Sequence, residues 1–478
     1  MDFSNTGLQS ILNNSIQHKN VKLIMTVSKA EELIDIVATT FRADPHRKII
    51  VDSYNNLIIT SETTKILSSI KLVHPIQFLF KDILLKMSKL GDGNTFLILF
   101  VGKLLRECKD LLVKGMKAHR IVATLKNIKE ELFKIMDELK EKQGIDFSDE
   151  ELLKRTLMPI LKNEILATLL SKSVVESGFV NPDDIRIQKV QTGCLDDSFI
   201  VHGMFLEKVL QGTVRKSGGK IAIFNTSLDI ERTETKGTLL FEKAEDMLRF
   251  SKDEEKRMEC LVDSICEGVN AVICNGNVNE QYAEFFNNND VMVIKVNSKF
   301  DIRRIMRMSR GSLLQTIRKP RREETGEIDS ITTVYDENKT YLQLEKKDSN
   351  IVSIVLKDSL ASNLDESELL LEKGIKILES LRGNDCYFVD GAGRFELQLS
   401  DRLAELSANI RDSSKLVYSA VIKALSYFYP SENADNEQLK DIYSVKRRTL
   451  EYAIDLACEV LMIEDYLVAK NEGPVANN

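Results

Sequence analysis

Apolar residues recur at helical spacing over long stretches toward both ends of the chain. This spacing predicts that residues 28–140 are mostly helical and that helix dominates again from about residue 366 onward. The helices predicted within the first stretch lie at about 62–71, 74–88, 95–114 and 119–142. A further amphipathic stretch, rich in leucine, predicts helix over 150–177, until the Asn-Pro-Asp-Asp sequence at 181–184 breaks it.

β-rich runs alternate with helical segments in the middle of the chain. Strand-like runs and helices follow one another at 220–224, 242–267, 271–274, 278–286, 291–296 and 301–310. This alternation predicts an α/β domain with a partly parallel sheet. Further β-rich runs lie at 185–190, 199–202 and within 330–357, and the runs at 48–52 and 57–60 predict a hairpin. The nested order predicts that the terminal segments pack together and that the middle is inserted.

Composition and charge fit a soluble globular protein of roughly two to four domains. The 478 residues are 43% hydrophobic, and the net charge of −7 gives no reason to expect nucleic-acid binding. The N-terminal residues lack a basic region followed by an apolar core, so we expect no secretory signal. The longest apolar run, 96–101, is too short to cross a bilayer. We therefore expect a cytoplasmic protein that does not span a membrane.

Neither cysteine nor histidine spacing indicates a metal site or a disulfide framework. The five histidines are scattered. The seven cysteines are odd in number and contain no Cys-x-x-Cys pair, and most have apolar neighbours, which is typical of reduced, buried thiols. They are Cys108, Cys194, Cys260, Cys266, Cys274, Cys386 and Cys458.

A short glycine-rich segment precedes the most apolar helix of the chain. Its residues are Gly91, Asp92, Gly93, Asn94 and Thr95. Glycines allow a sharp turn and close approach to a ligand, and the amides at a helix start attract phosphate oxygens. A carboxylate beside them would repel phosphate unless a divalent cation lay between, so Asp92 indicates Mg²⁺ held through phosphates. The alternative interpretation is an ordinary turn capped by Asp92.

Four segments of the central block resemble a known family. They are SFIVHGM at 198–204, ETKGTLL at 234–240, AEDMLRFSK at 244–252 and VNSKFDIRR at 296–304. In this order they resemble the apical domain of the eukaryotic cytosolic chaperonin (TRiC, also called CCT), a group II chaperonin, and they are most similar to its theta branch. The segment VLMIEDYLVAK at 460–470 resembles the end of the same branch. The resemblance extends from about residue 20 to 470, and the chain is a divergent and shortened example.

The resemblance implies a multidomain α and α/β chaperonin fold. It implies a helical equatorial ATP-binding domain from both chain ends, a mixed intermediate domain and an α/β apical domain with a helical protrusion at about 230–258. The implied boundaries are 1–140 and 397–478 (equatorial), 141–202 and 351–396 (intermediate) and 203–350 (apical). The implied function is ATP-dependent folding of unfolded or nascent client proteins, with other chaperonin subunits as partners in a double ring of eight-membered rings. No membrane or nucleic-acid partner is implied.

The resemblance also assigns site residues. Asp92 matches the family's metal-binding aspartate, here for Mg²⁺. The positions that contact ATP or ADP would be Gly91, Asp92, Gly93, Asn94 and Thr95, with Gly391 and Gly393 in a later glycine turn that also keeps Glu396.

Several positions depart from the family pattern. The turn at 41–48 lacks both family glycines and carries Arg47 where the family has an acidic or amide residue. Glu62 stands where the family has aspartate after the hairpin. Lys373 stands where the family has its catalytic aspartate, and a lysine charged at neutral pH cannot accept a proton. Glu372 would substitute only if the helix turned by about 100°. These changes predict weak nucleotide binding, with slow hydrolysis or none.

Client capture is implied for the helix at 301–310. Its apolar residues are Ile302, Ile305, Met306 and Met308, among several arginines. The alternative is that Ile302, Ile305 and Met306 pack onto the sheet. Two other functions stay open at this point. One is a ring subunit that contributes only interfaces and cavity wall, and the other is an independent cytosolic ATPase that uses the loop at 91–95.

Overall fold

The computed structural model describes residues 6–41, 46–51, 55, 57–70, 75–142, 147–179, 181–207, 210–229, 244–336, 339–382, 386–428 and 439–463. The chain divides into two compact units. Unit 1 comprises Met1–Asp146, Leu152–Glu164 and Leu369–Asn478, and unit 2 comprises Phe147–Glu151 and Ile165–Glu368. The described N-terminal and C-terminal segments therefore fold together in unit 1. The finer division into equatorial, intermediate and apical segments stays a prediction, and residues 230–243 of the predicted protrusion lie outside the described residues.

The helices of the described residues, in chain order, are α1 (Thr6–Ala38), α2 (Thr63–Ser69), α3 (Ile76–Met87), α4 (Asn94–Val113), α5 (Ala118–Leu139), α6 (Glu150–Leu161), α7 (Glu164–Ser177), α8 (Ala244–Cys266), α9 (Glu280–Asn288), α10 (Lys299–Ser309), α11 (Ala361–Arg382), α12 (Arg394–Ala408), α13 (Ser414–Ser426) and α14 (Tyr443–Met462).

The strands are β1 (Lys48–Val51), β2 (Leu57–Thr60), β3 (Glu141–Lys142), β4 (Ile185–Val190), β5 (Phe199–Glu207), β6 (Leu210–Gln211), β7 (Lys216–Phe224), β8 (Ala271–Cys274), β9 (Met292–Lys295), β10 (Leu313–Leu314), β11 (Gly326–Asp336), β12 (Lys339–Glu345), β13 (Val352–Lys357), β14 (Tyr387–Asp390) and β15 (Lys440–Ile442).

The core of unit 1 forms around α4, which is apolar on nearly every side. Leu97, Ile98, Leu99 and Phe100 are consecutive in sequence, so they point in different directions around the helix, and all are buried. A helix that is apolar all round must be surrounded by other elements. Helices α1, α13 and α14 pack against it. This packing fixes the start of α4, where the glycine-rich segment lies.

Two small antiparallel sheets complete unit 1. Strands β1 and β2 pair with Ile49 opposite Ile59, which confirms the predicted hairpin. Strand β14 pairs with β15 on one side and with β3 on the other. The second sheet connects the end of α5 with the segments before α12 and α14, and it therefore holds the later glycine turn.

Unit 2 is built on one large mixed sheet. Its strand order is β4-β13-β5-β12-β11-β7-β8-β9-β6, and β10 also pairs with β7. Strands β7, β8 and β9 are parallel, with α8 and α9 as their connections, because strand-helix-strand units return the chain in the same direction. The predicted α/β domain with a partly parallel sheet is confirmed.

The structure corrects three helix predictions. Helix α1 begins far before residue 28. The stretch at 150–177 is two helices, because Lys162 has the left-handed φ of 52° between α6 and α7. Strands β14 and β15 interrupt the helical C-terminal part, since short strands leave little periodicity to detect.

All seven cysteines are free thiols. The prediction of burial is correct for Cys108, Cys274 and Cys458, and it is wrong for Cys194 and Cys260, which are exposed. None of the described helices is both long and apolar enough to span a membrane.

Candidate functional site

The glycine-rich segment forms a left-handed turn directly before α4. Gly91 and Gly93 have φ values of 90° and 88°, a conformation that favours glycine. Gly93 caps α4, so the amides of the first helical turn have no acceptor within the helix. The partial positive charge of a helix start favours anions at this point.

The same glycines allow the turn to lie against two neighbouring helices. A Cβ atom on Gly91 would lie 2.9 Å from the Lys373 carbonyl oxygen on α11. A Cβ atom on Gly93 would lie 2.5 Å from Thr449 Oγ1 on α14. Both glycines are therefore required by protein packing, whatever ligand the amides meet.

Side chains at the start of α2 hydrogen-bond to the start of α4. The Thr63 and Thr95 hydroxyl oxygens lie 2.8 Å apart, and Asn94 Nδ2 donates to Thr64 Oγ1 at 3.0 Å. Asn94 is buried, and its Oδ1 atom has no hydrogen-bond partner among the described residues. A buried acceptor without a partner is costly, so this atom is suited to a donor from water or a ligand.

Lys373 forms an ion pair with Glu62. The two side chains are 20% and 14% exposed, and Glu62 also accepts a hydrogen bond from Thr64 at 3.2 Å. Burial works to raise the Glu62 pKa, but the Lys373 charge and the hydrogen bonds from Lys373 and Thr64 outweigh it, so the pKa lies below its ordinary value. Glu372 is exposed. Lys373, and not Glu372, is therefore the side chain of α11 that reaches the start of α2.

Asp92 keeps contact with solvent, although protein atoms crowd its carboxyl group. The loss of surrounding water raises the pKa of Asp92, while Lys373 and the Gly93 amide work against that increase. Lys162 belongs to the same electrostatic group. Crowding lowers the Lys162 pKa, and it is close enough to Asp92 and Lys373 to interact with both charges. Sequence reasoning missed Lys162, because only the break between α6 and α7 marks it.

The later glycine turn leads into α12. Gly393 has a φ of 78° and caps this helix, and Gly391 leaves no room for a Cβ atom, which would lie 2.8 Å from the Leu439 carbonyl oxygen. Glu396, in the first turn of α12, is buried and lies 2.5 Å from Lys446 Nζ on α14.

The two glycine turns meet at the start of α14. Asp441, directly before α14, lies 3.0 Å from Lys446 Nζ and contributes to the raised pKa of Asp92. The two carboxylates beside it raise the pKa of Lys446, although burial works in the opposite direction. Unit 1 therefore contains every position for which the sequence predicted nucleotide contact, and Lys446 lies beside Phe96 and Glu396, which follow the two turns. Arg47 is exposed, and residues 42–45 and 429–438 lie outside the described residues.

The predicted client-binding side chains occupy a different environment. Ile302, Ile305 and Met308 are buried against the sheet of unit 2, and Met306 is half-buried. The alternative of packing onto the sheet therefore describes Ile302 and Ile305, and Met306 packs against the same core while part of it stays exposed. Ile302, Ile305 and Met308 lie on the inner side of an amphipathic helix, so they are not available to a groove.

The donor set of unit 1 fits a nucleotide phosphate. It offers the amides of the first turn of α4, the ammonium groups of Lys373 and Lys162, and an acceptor at Asn94. Within the described part of the chain, no three His, Cys, Asp or Glu side chains are grouped to hold a metal ion. Asp92 would therefore hold Mg²⁺ only together with phosphate oxygens and water.

Comparison with known protein families supports the fold described above. The model of the TCP-1/cpn60 chaperonin family matches residues 33–436, and this chain belongs to that family.

Alignments with individual relatives cover most of this chain. The chain is 31% identical over 474 residues to T-complex protein 1 subunit theta of Encephalitozoon cuniculi, covering 99% of this chain and 96% of that protein. It is 27% identical over 427 residues to the subunit theta of Saccharomyces cerevisiae, covering 84% and 75%. It is 26% identical over 469 residues to the human subunit theta, covering 93% and 84%. The resemblance to the theta branch is confirmed.

Proposed function

We propose that this chain is a theta-type subunit of the hetero-oligomeric cytosolic chaperonin, a double ring of eight-membered rings that assists ATP-dependent folding of client proteins. Membership of the chaperonin family supports this proposal. The relatives named T-complex protein 1 subunit theta support it further, because the matches cover 99% and 93% of this chain rather than one domain.

The subunit binds ATP or ADP between the two glycine turns. Phosphate oxygens accept hydrogen bonds from the amides at the start of α4, where the helix dipole favours negative charge. Asp92 would hold Mg²⁺ together with phosphate oxygens, and the metal ion would neutralise phosphate charge. Gly391 and Gly393 shape the second side of the site, and they hold the start of α12 against the segment before α14.

Hydrolysis is slow or absent in this subunit. The observation that carries this conclusion is the ion pair between Lys373 and Glu62. A charged lysine accepts no proton from water, and a carboxylate with a lowered pKa is a weak base. Glu372, at the preceding position of α11, is exposed. Loss of a general base typically lowers a rate by roughly 10²–10⁴-fold.

A second candidate function is a ring subunit that binds no nucleotide. The observation that favours it is the packing of Gly91 and Gly93 against α11 and α14, which explains both glycines without a ligand. The independent ATPase has no comparable support.

Client contact falls to the outer side of α10. Phe300 is 68% exposed, and Arg303 and Arg310 are exposed as well. Together they offer apolar and positively charged contacts to an unfolded segment, while Ile302 and Ile305 hold the helix on the sheet.

The first test is purification of the tagged full-length chain from its own cells. We expect the other chaperonin subunits to co-purify at the mass of a double ring, and recovery of a monomer would refute the proposal. The second test is a structure of that complex with an ATP analogue and with ADP. Nucleotide beside Asp92 in both states, without turnover, is expected. Density for a water aligned by Glu372 would refute the impaired hydrolysis, and a site without nucleotide in both states would favour the second candidate.

A further inference from the structure

Two ammonium groups offset carboxylates around the Gly91–Thr95 turn. Asp92 and Glu62 carry negative charge and Lys373 and Lys162 carry positive charge, all within electrostatic reach of one another, and Asp441 adds a negative charge whose cation, Lys446, is shared with Glu396. An anionic ligand at the start of α4 therefore meets two positive charges beside the carboxylates before any metal ion arrives. Asp92 by itself would repel phosphate and require a divalent cation, but Lys373 and Lys162 offset part of this repulsion.

Lys373 is held in this position by contacts on both its backbone and its side chain. Its carbonyl oxygen would lie 2.9 Å from a Cβ atom on Gly91, so the backbone of α11 touches the turn. Its ammonium group is paired with Glu62, and the side chain is only 20% exposed. A fixed, partly desolvated ammonium group interacts more strongly with a phosphate than a mobile surface lysine does.

The turn also has a second feature that indicates a ligand. Asn94, the first residue of α4, is 4% exposed, and its Oδ1 atom has no partner within the described part of the chain. An unpaired acceptor accepts a donor, such as a bound water or a hydroxyl group, and does not bind phosphate oxygens directly. The site is therefore polar and incomplete as the protein alone forms it.

We infer that Lys373, which stands where the family has an aspartate, makes the site two charges more positive and so takes over the charge compensation of a divalent cation, so that this subunit binds the phosphates of ATP or ADP without Mg²⁺. The inference rests on the proposed nucleotide site and deepens it. Lys373 is then a binding residue that lowers the dependence on metal at the same position where it prevents proton transfer.

The experiment is photolabelling of the intact complex with radiolabelled azido-ATP, in matched buffers containing either Mg²⁺ or EDTA. Labelled subunits are separated and identified by mass spectrometry, so the remaining subunits serve as references within one sample. The affinity of this chain is expected to fall by less than about threefold in EDTA, because the positive charge is built in.

Substitutions on α11 vary the charge in steps. Lys373→Gln removes one positive charge, and Lys373→Asp removes it and adds a negative one. We expect the loss of affinity in EDTA to grow along this series, to about tenfold or more for Lys373→Asp. Lys376→Asp makes the same charge change at an exposed position of α11 and is expected to behave like the unmodified chain. Incorporation into the particle shows that each variant is folded.

The outcomes separate the two proposals. An EDTA effect of about tenfold or more on the unmodified chain would overturn the inference and leave the chaperonin assignment intact. Absence of labelling in both buffers would overturn the inference together with the nucleotide site. If the chain does not assemble with other subunits, the chaperonin assignment fails, and the same labelling of the full-length chain alone still decides whether binding needs Mg²⁺.

Discussion

Lys446 offers the sharpest test of how unit 1 is held together. Its ammonium group lies 2.5 Å from Glu396 Oε1 and 3.0 Å from Asp441 Oδ2, and 4.6 Å from the centre of the Phe96 ring. The Glu396 side chain is 1% exposed. Lys446→Met keeps a long side chain but removes the charge, so it leaves a fully buried carboxylate without its cation.

The expected cost follows from this burial. Removing one partner of a buried ion pair typically costs about 3–5 kcal/mol, because the remaining charge has neither water nor a counter-ion. Glu396→Gln should cost less, roughly 1–3 kcal/mol, since Lys446 keeps Asp441 as a partner. In the double variant the buried charge of Glu396 is gone, although Asp441, which is 26% exposed, still lacks its cation, and we expect a coupling of about 2–3 kcal/mol between the two substitutions.

Hydrogen exchange followed by mass spectrometry measures the free energy of opening region by region. Peptides from α12 and α14 of the full-length chain should exchange faster in Lys446→Met, whereas those from β7, β8 and β9 of unit 2 should not change. Lys423→Met is the matched control. Lys423 pairs with Glu107 at 3.1 Å, but its side chain is 62% exposed, so its loss should cost less than about 1 kcal/mol.

Two results would refute this reasoning. Equal effects of the substitutions at Lys446 and Lys423 would show that burial of Glu396 does not control the stability of unit 1. A double variant no more stable than Lys446→Met alone would show that the loss of stability comes from packing of the lysine stem, and not from the Glu396 carboxylate left without its cation.

Three further outcomes are expected. Gly93→Ala should destabilise the chain by at least about 1–2 kcal/mol, because alanine resists the left-handed conformation and its methyl group would lie 2.5 Å from a hydroxyl oxygen on α14; urea unfolding measures this. Glu62 has a lowered pKa in the folded chain, so its stabilising effect is present above the unfolded value of about 4.3 and is lost as pH falls through the folded value. Glu62→Gln should therefore reduce stability at neutral pH and weaken its loss in acid, and an unchanged acid profile would contradict the role of the pair with Lys373. Alkylation at pH 8 should label the exposed Cys260 and leave Cys108 unlabelled, since burial raises the Cys108 pKa to about 12; peptide mass spectrometry decides.

Local pattern was sufficient to predict elements whose contacts are close in sequence. The hairpin of β1 and β2 and the start of α4 need only alternation, turn residues and a continuous apolar run. The break at Lys162 could not be predicted in this way, because the leucine pattern continues across it. Strand β14 depends on partners from distant parts of the chain, and four residues carry too little pattern to reveal it.

The candidate site shows the same limit. The glycine turn was found from its own five residues, and family resemblance indicated position 373. The pairing of Lys373 with Glu62 joins residues 311 positions apart, so no local pattern predicts it. The prediction for α10 identified an apolar face correctly, but sequence alone does not say whether such a face meets the sheet or a partner.

The ion pair explains why two departures from the family pattern belong together. A partly buried lysine at position 373 is tolerated because a carboxylate lies beside it, and Glu62 supplies that carboxylate on a longer stem than aspartate. Replacing Lys373 alone by aspartate would place two carboxylates together, and mutual repulsion would raise the pKa of one of them. The other carboxylate stays ionised, so Lys373→Asp would put back the two acidic residues that the family resemblance implies at these positions. The proposed loss of hydrolysis therefore rests on Lys373, and Glu62 is the partner that stabilises this partly buried lysine.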